Sequence, residues 1–435
     1  MEGCGEFRRI WLEDDALENR ARLDSSHPGE YSWMATDLPG FAYSLSMKGK
    51  RSQAGCTHRL FRINRMKLTR TFRLLFPLAI VTLFASTMNV TDAAAGSKPE
   101  GKPTAGVLNS TPLKVDRLDA SIDQIIPAGA ILERIATGFT WVEGPVWVND
   151  SLFFADIPAN SIHRWTPAGG TTTFLKPSGW KEATPYVGKE PGSNGMTLDV
   201  RGRLTVAGHA QRDVYRLESL NPQGPFTILA DTYKGKRLNS PNDLVYKSDG
   251  SLYFTDPIYG LQTQKDTDPA KELKVNGVYR IPAALEHKAG AAPDRAALQL
   301  LVSDLPRPNG IAFSPDEKYL YVNNSEPKKI WMRYRVQPDG TLTEGKLLYD
   351  ATTDPRPGNP DGMKIDQQGN IYSAGPGGVW IFSPEGKPLG TILFSERVAN
   401  MTWAGPDRKT LYIAASSSIY RVRLKIAGAP LVRGH

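Results

Sequence analysis

The sequence predicts an all-β protein, a six-bladed β-propeller, and three observations carry that prediction. Six segments share one plan: a short apolar opening, a turn rich in Asp, Gly and Asn, an aromatic β-run, and a run closing on an aromatic or β-branched residue. They open at Glu143, Asn194, Asn242, Asn309, Asp361 and Asn400, at intervals of 51, 48, 67, 52 and 39 residues. A period in this range with several strands per unit is what propeller blades produce. Each segment also holds a hairpin signal, such as Asp249-Gly250 or Gln368-Gly369-Asn370, between alternating apolar runs. Finally, 40 Gly and 33 Pro make a turn-rich chain, and no amphipathic helix of three turns is evident.

The long third interval contains Lys265–Lys274 and Glu286–Arg295, which read as inserted loops. The repeats begin near residue 137, and residues 117–435 are assigned to the propeller. Residues 96–116 are rich in Gly, Pro, Lys, Ser and Thr and read as a flexible linker. Upstream, Lys67, Arg70 and Arg73 precede an apolar run from Leu74 to Ala85, and Ala93-Ala94-Ala95 supplies a small-residue cleavage site. Residues 66–95 thus have the three-part layout of a signal peptide, which implies an exported protein, periplasmic or secreted, with no stable membrane insertion after cleavage. The apolar run is too short for a membrane span, which needs about 20 residues. Residues 1–65 show no sustained periodicity and are given no fold. They read as an upstream extension, with Met66 as the expected start.

The formal net charge is +8. Residues 1–95 hold 13 Lys/Arg against 10 Asp/Glu, leaving +5 for the rest without a dense basic stripe. That distribution gives no nucleic-acid footprint. Both cysteines, Cys4 and Cys56, precede residue 60, so thiolate catalysis and Cys-ligated zinc are excluded from the repeats.

The opening residue of each repeat carries the chemistry. All six offer a carboxylate or amide oxygen, and Gly follows in four of them: Gly144, Gly195, Gly310 and Gly362. Equivalent positions in blades lie on a ring about the axis, so these oxygens converge on one point in a central metal-binding channel. If Glu143 and Asp361 stand ~5 Å apart, their repulsion at an effective dielectric of ~20 is roughly 3 kcal/mol, which a divalent cation relieves. An oxygen-only set suits calcium better than magnesium or zinc, with manganese a further alternative. For any single Asn-Gly or Asp-Gly pair the competing explanation is a turn dipeptide. Six in register point to a site.

The segments EGPVW at 143–147, SPNDLV at 240–245, FTDPIYGL at 254–261, PNGIAFSPD at 308–316 and PDGMKID at 360–366 resemble the senescence marker protein/gluconolactonase/luciferin-regenerating-enzyme family. The resemblance runs from about residue 137 to 425. It implies a six-bladed propeller with a divalent cation in its tunnel, hydrolysing lactones or, in some members, phosphorus–fluorine esters. It further implies Glu143, Asn309 and Asp361 as metal ligands, with Asn242 a fourth ligand or a substrate contact. Asn194 becomes a substrate contact, and position 400 is less consistently a ligand in the family.

The expected reaction is hydrolysis of a sugar lactone or related cyclic ester, with the cation polarising the carbonyl and Asp361 taking a proton from water. The expected partner is thus a small-molecule lactone; the number of subunits is left open. His209 and Arg212, at the end of a strand in the second repeat, are further candidates for substrate binding. His163 and His287 read as structural, and Asp156 and Asp256 as turn residues. Ser193 lacks a nucleophile-elbow context. Trp180, Tyr186 and Tyr259 sit in loops able to roof a pocket. Alternatives are an organophosphate hydrolase on the same site and a non-catalytic, calcium-stabilised propeller that binds a partner or carbohydrate.

Overall fold

Each of the six repeats folds into an antiparallel sheet whose strands pair in chain order, because short alternating runs separated by tight turns favour neighbour pairing. A computed structural model describes residues 30–34, 44–48, 106–295 and 297–430. The chain divides into two units, Met1–Ala95 and Gly96–His435. In the first, Glu30–Met34 pairs antiparallel with Ser44–Lys48. The rest of residues 1–65, including both cysteines, and the whole signal-like segment 66–95 lie outside the described residues.

In the second unit, blade one comprises Val142–Val148, Ser151–Asp156, Ser161–Thr166 and Gly170–Leu175. The innermost strands of the next five blades are Met196–Leu198, Leu244–Tyr246, Pro308–Phe313, Met363–Ile365 and Val398–Ala404. Every innermost strand touches the one before and after it, and that of blade six touches that of blade one. The six-bladed β-propeller read from the repeats is the architecture observed. No α-helix occurs among the described residues, only 3₁₀ turns, and none of their helices is long and apolar enough to cross a membrane. The predicted hairpins form, with Gly250 and Gly369 at φ +83° and +88° in the turns. Blade three carries the two expected long loops.

Two features differ from the sequence reading. Blade six is completed from the front of the chain: Ile131–Thr137 pairs with Ser418–Arg423, so the ring closes by hydrogen bonds between the two ends of the unit. The segment assigned to a flexible linker, 96–116, contributes to two strands within its described part. Asn109–Pro112 adds to blade six beside Ile131–Thr137, and Val115–Arg117 adds to blade five beside Pro388–Leu393. All of Asn109–Pro112 is exposed. An outermost strand held by backbone pairing needs no apolar alternation, which is why its polar sequence looks like a linker.

The core is distributed between blades rather than within one layer. Six apolar clusters each join neighbouring blades. One joins Ile135 of the closing strand to Val142 and Phe154 of blade one and Tyr412 of blade six. Polar groups are buried as well. Asp213 in blade two is pushed up to about 7 by burial, against the attraction of Lys181 and Arg237, and its Oδ1 has no hydrogen-bond partner among the described residues.

Two outcomes follow from this packing. Ile135→Ala should lower stability by about 2–4 kcal/mol in urea denaturation; an unchanged midpoint would show that closure by the front strand matters little. For Asp213 the folded protein holds the proton more tightly than the unfolded chain, so its contribution worsens as pH rises from about 4 to 7 and is fully unfavourable above that range. Asp213→Asn should therefore raise the unfolding free energy read from urea denaturation at pH 8, by about 1 kcal/mol or more, and much less at pH 5. Equal effects at both pH values would refute this account.

Candidate active site

The six ring residues stand where the innermost strands begin. Glu143, Asn309 and Asn400 lie at register shifts in their hairpins, the β-bulge geometry that re-aims a side chain. Asn194, Asn242 and Asp361 lie two residues ahead of their strands. The run into three of them is held by the residue that ends the second strand of the same blade. Asp156 accepts from the Thr140 and Trp141 amides at 3.1 and 3.0 Å, Asp256 from Asn239 and Ser240 at 2.8 and 2.7 Å, and Asn324 from Arg307 at 2.6 Å. The turn role expected of Asp156 and Asp256 is thus specifically to set the entry to Glu143 and Asn242.

The glycines after the ring residues serve close approach between blades. A Cβ on Gly195 would lie 2.5 Å from the Asn242 carbonyl oxygen, and one on Gly310 would collide with that of Asp361. Hydrogen bonds link successive blades across this contact. The Gly195 amide donates to Asn242 (2.8 Å), the Thr255 hydroxyl to the Asn309 carbonyl (2.8 Å), Asn323 Nδ2 to the Asp361 carbonyl, and the Gly362 amide to Ala399 (2.8 Å). Asn400 Nδ2 donates to Glu143 Oε2 (3.0 Å), joining blade six to blade one.

Glu143, Asn194, Asn242, Asn309 and Asp361, one from each of five blades, line a single cavity of about 480 Å³. Asn309 Nδ2 donates to Ser325 Oγ at 3.1 Å, which leaves its Oδ1, like that of Asn194, without a hydrogen-bond partner among the described residues. Asn400 departs from the six-oxygen ring. Its Oδ1 accepts from Lys364 Nζ (3.1 Å) and the Met401 amide (2.8 Å), while its nitrogen faces Glu143. It does not line the cavity and positions Glu143 instead. No group of three or more His, Cys, Asp or Glu side chains is arranged to hold a metal among the described residues. The ring offers two carboxylates plus amide oxygens, a donor set that fits a hard cation such as calcium and not a soft one.

Burial and crowding hold these carboxyls above their usual range. Glu143 is pushed up to about 8, first by burial and then by Asp243, with the Gly144 amide, Asn400 and Lys364 pulling the other way. Asp361 is held well above its ordinary value by burial, by Glu143 and Asp243, and by Glu190. Asp243 is itself raised by burial and opposed by Lys364. Its Oδ2 has no hydrogen-bond partner among the described residues.

The two remaining candidates separate from the ring. His209 is fully buried behind the cavity wall, with Nε2 2.8 Å from Glu190 Oε2 and Nδ1 3.1 Å from the Pro241 carbonyl oxygen. It does not line the cavity. Arg212 points away too: it donates to the Leu238 carbonyl at 2.6 Å and stands 3.6 Å from Glu272. The αL conformation of Arg212, φ +63°, turns its side chain into that loop packing, so direct substrate binding by Arg212 is corrected to a structural role. Tyr259 lines the cavity as expected, whereas Trp180 and Tyr186 pack on each other with ring centroids 5.5 Å apart. Sequence reasoning missed Asp243, Lys364, Ser325 and Glu190. Asp243 was findable, since it occupies the place taken by glycine in four other repeats; Glu190 left no signal in its loop.

Residues 141–417 match the family model described as the SMP-30/Gluconolactonase/LRE-like region. The chain is 38% identical over 361 residues to a gluconolactonase of Zymomonas mobilis, covering 80% of this chain and 96% of that protein. It is 28% identical to a 6-deoxy-6-sulfogluconolactonase of Pseudomonas putida, over 63% of this chain and 82% of that one. A solved gluconolactonase from Xanthomonas campestris superposes with a TM-score of 0.60 at 28% identity, covering 73% of this chain and 98% of the other. With its six blades, its five-residue ring and these matches, the chain belongs to the SMP-30/gluconolactonase/LRE-like family.

Proposed function

We propose that the protein is a cation-dependent lactonase acting on a sugar lactone or related cyclic ester. The observation that carries this reading is the meeting of two carboxylates and two unpartnered amide oxygens, from four blades, in one cavity. Its relatives named gluconolactonase and sulfogluconolactonase favour a lactone over a phosphotriester on the same ring.

Glu143, Asn309 and Asp361 would hold one divalent cation, calcium by the hardness of the donors, with Asn242 as a fourth ligand. When bound, the ion supplies a Lewis acid that polarises the lactone carbonyl and counters the developing negative charge. The chain's own groups do the rest. Asn194 orients the substrate from the cavity wall. Asp361 accepts a proton from the attacking water as its oxygen bonds to the acyl carbon, and returns it to the ring oxygen as the acyl C–O bond breaks. The product is a hydroxy acid. Asn400, locked by Lys364, keeps the Glu143 carboxylate turned to the cavity side of the ring. Residues 66–95 have the layout of an export signal, and we place the working enzyme in the periplasm or outside the cell.

Purified protein should open D-glucono-δ-lactone in a pH-indicator assay and lose that turnover on exhaustive chelation, regaining it with calcium. Asp361→Asn should reduce kcat by about 10²–10⁴-fold, the range for a lost general base, with the circular dichroism spectrum unchanged. Calcium should raise the melting temperature of the wild type, and this shift should be lost in Glu143→Gln. Full lactone turnover in chelated protein would sink the cation-dependent reading; a calcium shift with no turnover would leave a non-catalytic propeller.

A further inference from the structure

We propose that Glu190 is a substrate-recognising carboxylate that accepts hydrogen bonds from the hydroxyl groups of a polyhydroxylated lactone, aimed by the positioning residues His209 and Gln264. This inference rests on the lactonase reading and extends it to the part of the substrate away from the reacting carbonyl.

Glu190 comes from the loop between blades one and two and lines the same cavity as the ring. Each of its oxygens has one fixed donor. Oε2 lies 2.8 Å from His209 Nε2 and Oε1 accepts from Gln264 Nε2 at 2.9 Å. A carboxylate oxygen has two acceptor positions, so one on each oxygen stays open to a further donor. The side chain is 25% exposed while His209 is fully buried, so Glu190 is the member of the pair that the cavity reaches.

The support behind it is built from separate elements. His209 belongs to the short turn after the second strand of blade two, and Gln264 to the long loop of blade three. The second nitrogen of His209 meets the Pro241 carbonyl oxygen at 3.1 Å, so both ring nitrogens face acceptors and the ring is fixed in orientation. Gln264 Nε2 also donates to the Tyr259 carbonyl at 2.9 Å. Both residues have left-handed backbones, at φ +25° and +56°, and a Cβ on Gly260 would lie 2.8 Å from the His209 ring. Left-handed conformations outside glycine persist only where surrounding structure over-determines them, and they concentrate at functional sites.

The chemistry narrows the role. With one lone pair of each oxygen already committed, Glu190 is poorly set up as a cation ligand. As an acceptor-only group it fits the hydroxyls of a polyol rather than an apolar lactone. A site built to accept hydrogen bonds from substrate hydroxyls discriminates against an analogue that lacks them, because its buried polar groups are then left unpaired.

The test compares D-glucono-δ-lactone with δ-valerolactone, which has the same ring and no hydroxyls. Glu190→Gln should lower kcat/KM for the first by about 10- to 100-fold, the range of one hydrogen bond to a charged group, chiefly through KM. The second should fall by a much smaller factor, so the selectivity ratio drops about tenfold or more. His209→Gln should move the ratio in the same direction, and the partly exposed Glu190 provides an independent arm if the His209 variant fails to fold. Equal losses for both lactones, or an unchanged ratio in Glu190→Gln, would overturn the proposal while leaving the lactonase reading intact. A wild type that opens neither lactone would sink that reading and this proposal with it.

Discussion

The site depends on how closely neighbouring innermost strands approach at one end of the channel. Side chains from separate blades can share a cavity only if their backbones come within hydrogen-bond distance there, and a Cβ at Gly195 or Gly310 would prevent it. The blade-to-blade bonds from Gly195, Thr255, Asn323 and Gly362 hold that approach. Closure of the ring by Ile131–Thr137 keeps blades one and six from spreading. A functional ring and a closed propeller are therefore one construction, and the apolar wedges between blades stabilise both.

Within this frame, charge is placed against the preference of the carboxyls. Glu143, Asp243 and Asp361 are drawn together in a space where burial and mutual repulsion favour their neutral forms. Lys364 supplies one ammonium among them, bonded to Asn400. A cation bound among these groups would reduce the cost of bringing them together, and that difference would favour the loaded site.

A second layer decides which atoms face the cavity. Ser325 occupies the nitrogen of Asn309 and so turns its oxygen inward, whereas Lys364 occupies the oxygen of Asn400 and turns its nitrogen toward Glu143. Two asparagines at equivalent ring positions thus have opposite roles, one offering a donor oxygen and the other steadying a carboxylate. His209 and Gln264 act on Glu190 in the same way. Each cavity group is aimed by a partner in another strand or loop.

The sequence by itself determined the number of blades, the ring positions and the oxygen character of the site. Those properties repeat at a fixed place in each unit, so local pattern is enough to read them. Blade closure, the sheet role of residues 109–117, the reversal of Asn400 and the departure of Arg212 from the cavity were decided by tertiary structure alone. Each of these depends on a partner far away in the chain: the Ser418–Arg423 strand for Ile131–Thr137, Pro388–Leu393 for Val115–Arg117, Glu143 for Asn400 and the Leu238 carbonyl for Arg212. Hydrogen bonds to distant backbone and side chains leave no periodicity in the residues that make them, and only the folded ring brings those partners together.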